Sequence, residues 1–372
     1  MSTVHLSGFG MTSFGAHTET SVADLGVEAA RLALTDAGLD YAAVGEVFAA
    51  SMLSAPQTAL KVAHRLGLTG VPVTAVESAS AGGLVALRHA VNAVRSGQCE
   101  AALAVGYEKT TALDPGGVVP APVGPWDRFP PQLHYAIEAN RWLHDNGCGP
   151  EVLAAVAVKS WNQARRCPLA ARQLDHEVTV DEVLSARMVA TPLTRMMCHA
   201  AVDGGAAVVV TREERPGSVR LLAIEQSSQP EDPSWPRVGP VVGPPSQTAR
   251  TAALAYAAAG LTAADVDVVN LHDMCISEEV VALTALGLAT PQEVIELAAS
   301  NGLSSEGRVP TNTDGGCIAR GHPIGATGLA QAIEVARQLL GDAQGRQVTG
   351  AEIGLVEAAG GGGSCVVAVL AR

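Results

Sequence analysis

A chain of 372 residues can bury a sizeable core and has room for more than one domain. Nearly half of its residues are hydrophobic, few are charged and 39 are glycine, which excludes a disordered or fibrous protein and indicates a well-packed α/β fold with tight turns. A formal charge of -13 argues against a broad nucleic-acid or anionic-membrane surface, but leaves room for a local basic site that would take a phosphate-bearing tail.

Helical and extended patterns alternate from the start. Residues 22–37 place Leu25, Ala29, Leu32 and Ala33 on one helical face, Gly38 supplies a stop, and 44–50 reads as a strand. Val73 to Val76 is a short strand, Ala81 to Ser96 a helix, and Ala101 to Gly106 a buried strand. From about Asp114 to Arg195 an insertion interrupts this order. It opens rich in Pro and Gly (DPGGVVPAPVGPWDRFPP), where helix and central strand are both disfavoured, and holds Trp126, Phe129, Tyr135, Trp142 and Trp161. Such a segment either covers a substrate site or packs onto the scaffold or a second subunit.

The first unit then recurs. ARLALTDAGLDYAAVGEVFAAS, from Ala30, lies against AALAYAAAGLTAADVDVVNLHD, from Ala252, and Ala81-Gly82-Gly83-Leu84 resembles Ala326-Thr327-Gly328-Leu329. The shared order predicts two similar α/β halves, 1–245 with the insertion at about 114–195, and 246–372.

Seven cysteines, at 99, 148, 167, 198, 275, 317 and 365, show no C-x-x-C and no ligand-like spacing, so neither a metal site nor a disulfide framework is expected. MSTVHLSGFG has no basic segment followed by an apolar stretch, and runs such as AALAYAAAG are too short to span a bilayer. The expectation is a soluble cytoplasmic protein without nucleic-acid or membrane partners.

Four segments carry candidate chemistry. In VESASAGG, Ser80 stands between a strand and a helix, where it is either an ordinary N-cap or a nucleophile favoured by the helix N-terminus. In VVNLHDMC, His272-Asp273 emerges from a strand end. In NTDGGCIARGHPIGATG, His322 is held between glycines and Pro323 ahead of a helix. Gly360 to Gly363 form a run that serves either as a hairpin turn or as half of an oxyanion hole. Gly8-Phe9-Gly10 followed by Gly15 is not a dinucleotide fingerprint, and Ser78-x-Ser80-x-Gly82 lacks the first Gly of a nucleophile elbow.

Taken in order, these segments resemble the thiolase superfamily, in its sterol-carrier-protein and lipid-transfer branch. NTDGGCIARGHPIGATG is similar to the family's GHP signature, HDMC to its H-D-C-F variant, and SARMVATPLT with VDGGAAVVV to the segments closing the first half. The resemblance implies a five-layer α-β-α-β-α fold of two βαβαβαββ halves, a homodimer, and an acyl-coenzyme A or carrier-bound thioester substrate with no permanently bound cofactor. It implies that position 80 is the acylated residue, that His322 activates it, and that His272 replaces an Asn that positions a water. The backbone N–H groups of Ser80 and of Gly360 or Gly361 would hold the acyl oxygen.

The chain departs from that pattern where the chemistry is done. The nucleophile is Ser80 rather than Cys, and the second catalytic cysteine expected before the glycine run, or third in the H-D-C-F motif, falls at Ala358 and Met274. Cys275, Cys317 and His272 are the remaining candidates for the second proton transfer. A conventional thiolase reaction is therefore not expected. Three readings follow: acyl transfer through Ser80 in a specialised pathway, retro-aldol cleavage of a β-hydroxyacyl thioester with a small OB-fold partner, or a non-catalytic acyl-binding subunit of a heteromer.

Overall fold

The computed structural model of the chain describes residues 3–111, 131–199, 201–232 and 242–372. The first half contributes β1 (Val4–Met11), α1 (Val22–Asp36), β2 (Glu46–Ala50), α2 (Thr58–Leu66), β3 (Val73–Val76), α3 (Gly82–Arg95) and β4 (Ala101–Lys109). Helices α4 (Pro131–Asp145), α5 (Glu151–Ala164) and α6 (Val180–Ser185) follow, with a small hairpin of β5 (Met188–Ala190) and β6 (Leu193–Thr194). Then come β7 (Asp203–Thr211), β8 (Val219–Ser228), α7 (Pro245–Ala259), β9 (Val268–Asn270), α8 (Ile276–Ala285) and α9 (Pro291–Ala299). The chain closes with α10 (Gly316–Ala319), α11 (Ile324–Leu340), β10 (Ile353–Gly360) and β11 (Ser364–Ala371).

Nine strands join in the order β3-β2-β4-β7-β1-β8-β11-β10-β9. This order contains the repeat. Read outward from the β1–β8 contact, each section runs through two antiparallel neighbours to parallel strands: β1, β7, β4, β2, β3 on one side and β8, β11, β10, β9 on the other. The place matching β3 is reduced in the second section to a single parallel bridge, Val269 with Thr311. The sections meet only through Val4–Leu6 against Val219–Leu221, so the second section begins with β8, upstream of residue 246.

Side-chain alternation turns two sections into five layers. Leu103, Val105 and Tyr107 pack outward with α1 and α2, while Ala102 and Ala104 face α3 and α11. In the second section Val366, Ala368 and Leu370 face the same two helices, and Val367 and Val369 pack outward among the residues of α7, α8 and the inserted helices. Each fully buried Val or Leu in these layers contributes roughly 1.5–3 kcal/mol relative to exposure.

The two middle helices cross where the repeated tetrapeptide lies. A Cβ on Gly83 would come within 2.9 Å of the backbone N of Leu329, and one on Gly328 within 2.7 Å of the backbone N of Leu84. Equivalent glycines of the two halves therefore let the helices touch backbone to backbone at their N-terminal turns. This close crossing brings the loops ahead of both helices together.

Several expectations shift. The face of α1 buries Leu25, Ala29 and Ala33, but Leu32 is 44% exposed; Gly26 and Ala30 complete the buried side instead, the glycine seated against Tyr107. The strand expected at 44–50 starts at Glu46, because Tyr41–Ala43 makes a 3-10 turn capped by Asp40. Beyond its opening the insertion is largely helical rather than irregular, and Tyr135, Trp142 and Trp161 are buried in the outer core against the second section. Trp126 and Phe129 lie outside the described residues.

Candidate active site

Ser80 owes its place to a strained turn. Between the end of β3 and the start of α3, Ala79 adopts φ 46°, a left-handed conformation that costs an L-residue on the order of 1 kcal/mol. Residues Ala79–Ala81 then form a 3-10 turn leading into α3, whose N-cap is Ala81 without a side-chain capping bond. The N-cap expectation for Ser80 is thus overturned. Its buried hydroxyl lies instead 3.1 Å from Nε2 of His322, across the helix crossing.

His322 reaches that point from the second half. Gly321 at φ 111° turns the chain, Pro323 caps α11, and the imidazole points back along the helix start. Its Nδ1 lies 2.8 Å from Oγ1 of Thr327, whose hydroxyl donates to the Pro323 carbonyl at 3.1 Å. Because that hydroxyl hydrogen is committed, Nδ1 must be the donor, which leaves Nε2 with a lone pair facing Ser80. Burial, followed by the charges of His272, His199 and Arg320, pushes the His322 pKa well below the ordinary 6.5. The ring is therefore a neutral base at neutral pH.

His272 is shifted in the opposite direction. Its ring stands edge-on to His322 with centroids 5.1 Å apart, Nδ1 lies 3.0 Å from Oε1 of Glu278, and Nε2 has no hydrogen-bond partner among the described residues. Desolvation opposes its charge, but Glu278, Glu357 and Asp273 outweigh it and raise the pKa above 6.5. Two neighbouring imidazoles thus have pKa values pushed apart, the condition that an acid and base pair requires.

The other sequence candidates divide. Cys317 belongs to the site, its Sγ 3.7 Å from His322 Nδ1, yet burial and Asp273 push its thiol well above the usual range. Cys275 instead packs its sulfur 3.5 Å from that of Cys198. Asp273 is structural: its Oδ1 accepts the Cys317 N–H at 2.6 Å, fixing the loop that carries His322. Gly360 ends β10 so close to the turn that carries Ser80 that a Cβ would sit 2.6 Å from the Ser78 carbonyl oxygen and 3.1 Å from the Ala81 N. Gly361 lies in the turn to β11, so the glycine run is a hairpin as well as a neighbour of Ser80.

His272, Cys317 and His322 each offer a donor atom within 4.8 Å of the others. Three of the four imidazole nitrogens are already hydrogen-bonded, and the thiol is held protonated. A cation there would have to displace those bonds and the thiol proton. A groove of about 590 Å³ between α5 and α9 lies elsewhere; none of these residues lines it.

Sequence reasoning missed Thr327, Glu278 and His199, whose ring stands edge-on to His322 at 5.2 Å. Glu278 had a local signal, since it lies at the third position of a helix beginning just after HDMC. His199 had none, because its proximity depends on the return of the chain from the insertion.

Residues 4–214 match the family model described as Thiolase, N-terminal domain, and residues 242–372 the one described as Thiolase C-terminal domain-like. An acetyl-CoA acetyltransferase of Methanothermobacter thermautotrophicus is 35% identical, with all of both chains covered. A sterol carrier protein 2 of Gallus gallus is 31% identical over 99% of this chain and 71% of its own length. Among solved structures, the Ltp2-ChsH2(DUF35) aldolase superposes with a TM-score of 0.85 at 21% identity, covering 100% of this chain and 98% of that one. No described helix is long and apolar enough to cross a membrane.

Proposed function

The chain belongs to the thiolase family, and within it we propose an acyltransferase that passes an acyl group from a thioester through Ser80. The observation that carries this reading is the 3.1 Å contact between the Ser80 hydroxyl and the lone-pair nitrogen of a neutral, Thr327-locked His322. A hydroxyl is a poorer nucleophile than a thiolate unless a base stands within hydrogen-bond reach, and here one does.

In the proposed reaction, Ser80 attacks the thioester carbonyl as its proton moves to His322 Nε2. The developing oxyanion is held by the Ser80 and Gly360 backbone N–H groups, a type of interaction worth roughly 10²- to 10³-fold in rate. Collapse breaks the C–S bond, expels the sulfur as a thiolate and leaves an ester on Ser80. An O, N or C nucleophile then takes the acyl group, and His322 returns its proton to Ser80. The donor is an acyl-CoA or a carrier-bound thioester, consistent with relatives named as acetyl-CoA acetyltransferases. Ala358 and Met274 stand where a second cysteine would shuttle the α-proton, which favours a specialised acyl transfer over ordinary thiolysis. The edge strand β3, with Thr74 and Ala75 exposed, offers a surface for a homodimer.

Retro-aldol cleavage of a β-hydroxyacyl thioester is the second reading. It needs an enolate pocket and a proton-moving side chain, and the paired histidines supply both acid and base without any covalent step. A small OB-fold partner belongs to this reading.

Intact-mass analysis of wild type and Ser80→Ala after incubation with a panel of acyl thioesters separates the two. An adduct confined to wild type is expected. No adduct with any donor, together with unimpaired turnover by Ser80→Ala, would establish the non-covalent reading instead.

A further inference from the structure

We propose that Glu278 and His272 form a second proton-transfer dyad, in which Glu278 positions His272 to protonate the departing thiolate and then to accept the proton of the incoming nucleophile. It rests on the acyl-transfer reading and assigns the role that the absent cysteines leave open.

Four observations converge on these two side chains. The Nδ1 to Oε1 contact of 3.0 Å joins groups that are 1% and 5% exposed, so it is shielded from solvent. Glu278 is itself fixed, its other oxygen accepting the Cys275 N–H at 3.3 Å. The His272 backbone N–H donates to Glu357 at 3.0 Å, which sets the ring's base. With Nδ1 engaged by a carboxylate, the remaining nitrogen, Nε2, is the one free to carry a transferable proton beside His322.

Titratable groups face the dyad from every side. Glu278 comes from α8, Glu357 from β10, Asp273 from the intervening loop and His322 from the facing loop, while Tyr135 and Glu138 of α4 enclose Glu278. A cavity of about 30 Å³ lies among Glu138, His272, Glu278 and Glu357, too small for an acyl chain. The inserted helix α4 thus packs behind the dyad.

The proton balance closes over one cycle. As the C–S bond breaks, its electron pair goes to sulfur, which takes the proton from His272 Nε2 and leaves as a thiol. His322 meanwhile holds the Ser80 proton. When the acceptor attacks the ester, its proton goes to His272, and the His322 proton returns to the Ser80 oxygen. Both histidines end as they began.

The test is leaving-group dependence. A coenzyme A-type thiol, with pKa of about 8.5, gains from an acid at the moment of departure, whereas a nitrophenyl thiol leaves readily as its anion. Rates of Ser80 adduct formation are measured by intact mass with both donors. In Glu278→Gln, or His272→Gln if the first does not fold, the alkyl thioester rate is expected to fall about 100-fold while the aryl thioester rate stays within about threefold of wild type. In wild type the alkyl rate falls as pH rises past the raised His272 pKa, and Glu278→Gln moves that limb to lower pH. Equal losses with both donors, or none with the alkyl donor, would overturn the dyad alone. Absence of any adduct in wild type would overturn the acyl-transfer reading, and the dyad with it.

Discussion

The two halves share a scaffold but carry different cargo. In each, a turn leads into a helix that starts at the same crossing, where Gly83 and Gly328 let the backbones touch. The first half brings a hydroxyl there through the short turn after β3. The second has lost the strand matching β3 except for the Val269–Thr311 bridge, and spends those residues on the loop that holds His322. Duplication supplies the meeting point, and divergence of the two loops places a hydroxyl on one side and an imidazole on the other.

The largest break in that comparison should come from removing the base. His322→Ala is expected to slow Ser80 adduct formation about 1,000-fold, within the range for a general base, as followed by intact mass over time. A rate within about tenfold of wild type would assign the proton elsewhere. In the intact enzyme, the depressed pKa of His322 means that acylation by the aryl thioester should stay level as pH falls to 6.5 and decline only well below it. A rising limb with its midpoint at or above 6.5 in that profile would contradict the burial argument.

Thr327→Val tests the lock on the imidazole rather than the imidazole itself. Losing the acceptor for Nδ1 should cost about 10- to 100-fold in acylation, with a loss of stability near 1 kcal/mol. If the rate is unchanged, the tautomer is set by something other than Thr327.

Gly328→Ala tests the crossing. Its new Cβ would press on the Leu84 backbone, so a loss of about 1–3 kcal/mol is expected by thermal or denaturant unfolding. Gly38→Ala is the control: at φ 61° with nothing near the added carbon, it should cost only about 1 kcal/mol. Equal effects would mean that the helices can separate without penalty. The smallest change belongs to Cys317→Ser, which should leave acylation within about twofold, because a thiol held protonated supplies no thiolate.

Much of this arrangement was legible along the chain. The repeated tetrapeptide pointed to two related helix starts, and Ser80, His272 and His322 each stood at a strand end or glycine-bounded turn, where local chemistry marks a site. Long amphipathic periods such as α1 were read within a residue or two, since burial of one face imposes the spacing. What failed to show was anything set by a partner far along the chain. Leu32 lies outside because Gly26 and Ala30 pack in its place, and Tyr135, Trp142 and Trp161 lie in the outer core because α4 and α5 dock onto the second sheet section.

The sequence by itself determined the kinds of groups available and the turns that carry them, because a glycine at positive φ or an apolar period is a local constraint. Only the tertiary structure decided how those groups act. Ser80 becomes more than a turn residue once His322, 242 positions away, lies 3.1 Å from its hydroxyl. His322 and His272, chemically identical in the sequence, are driven apart in pKa because one is buried against Thr327 and positive neighbours and the other against carboxylates. Charge state depends on distance and desolvation, and neither exists until the chain has folded.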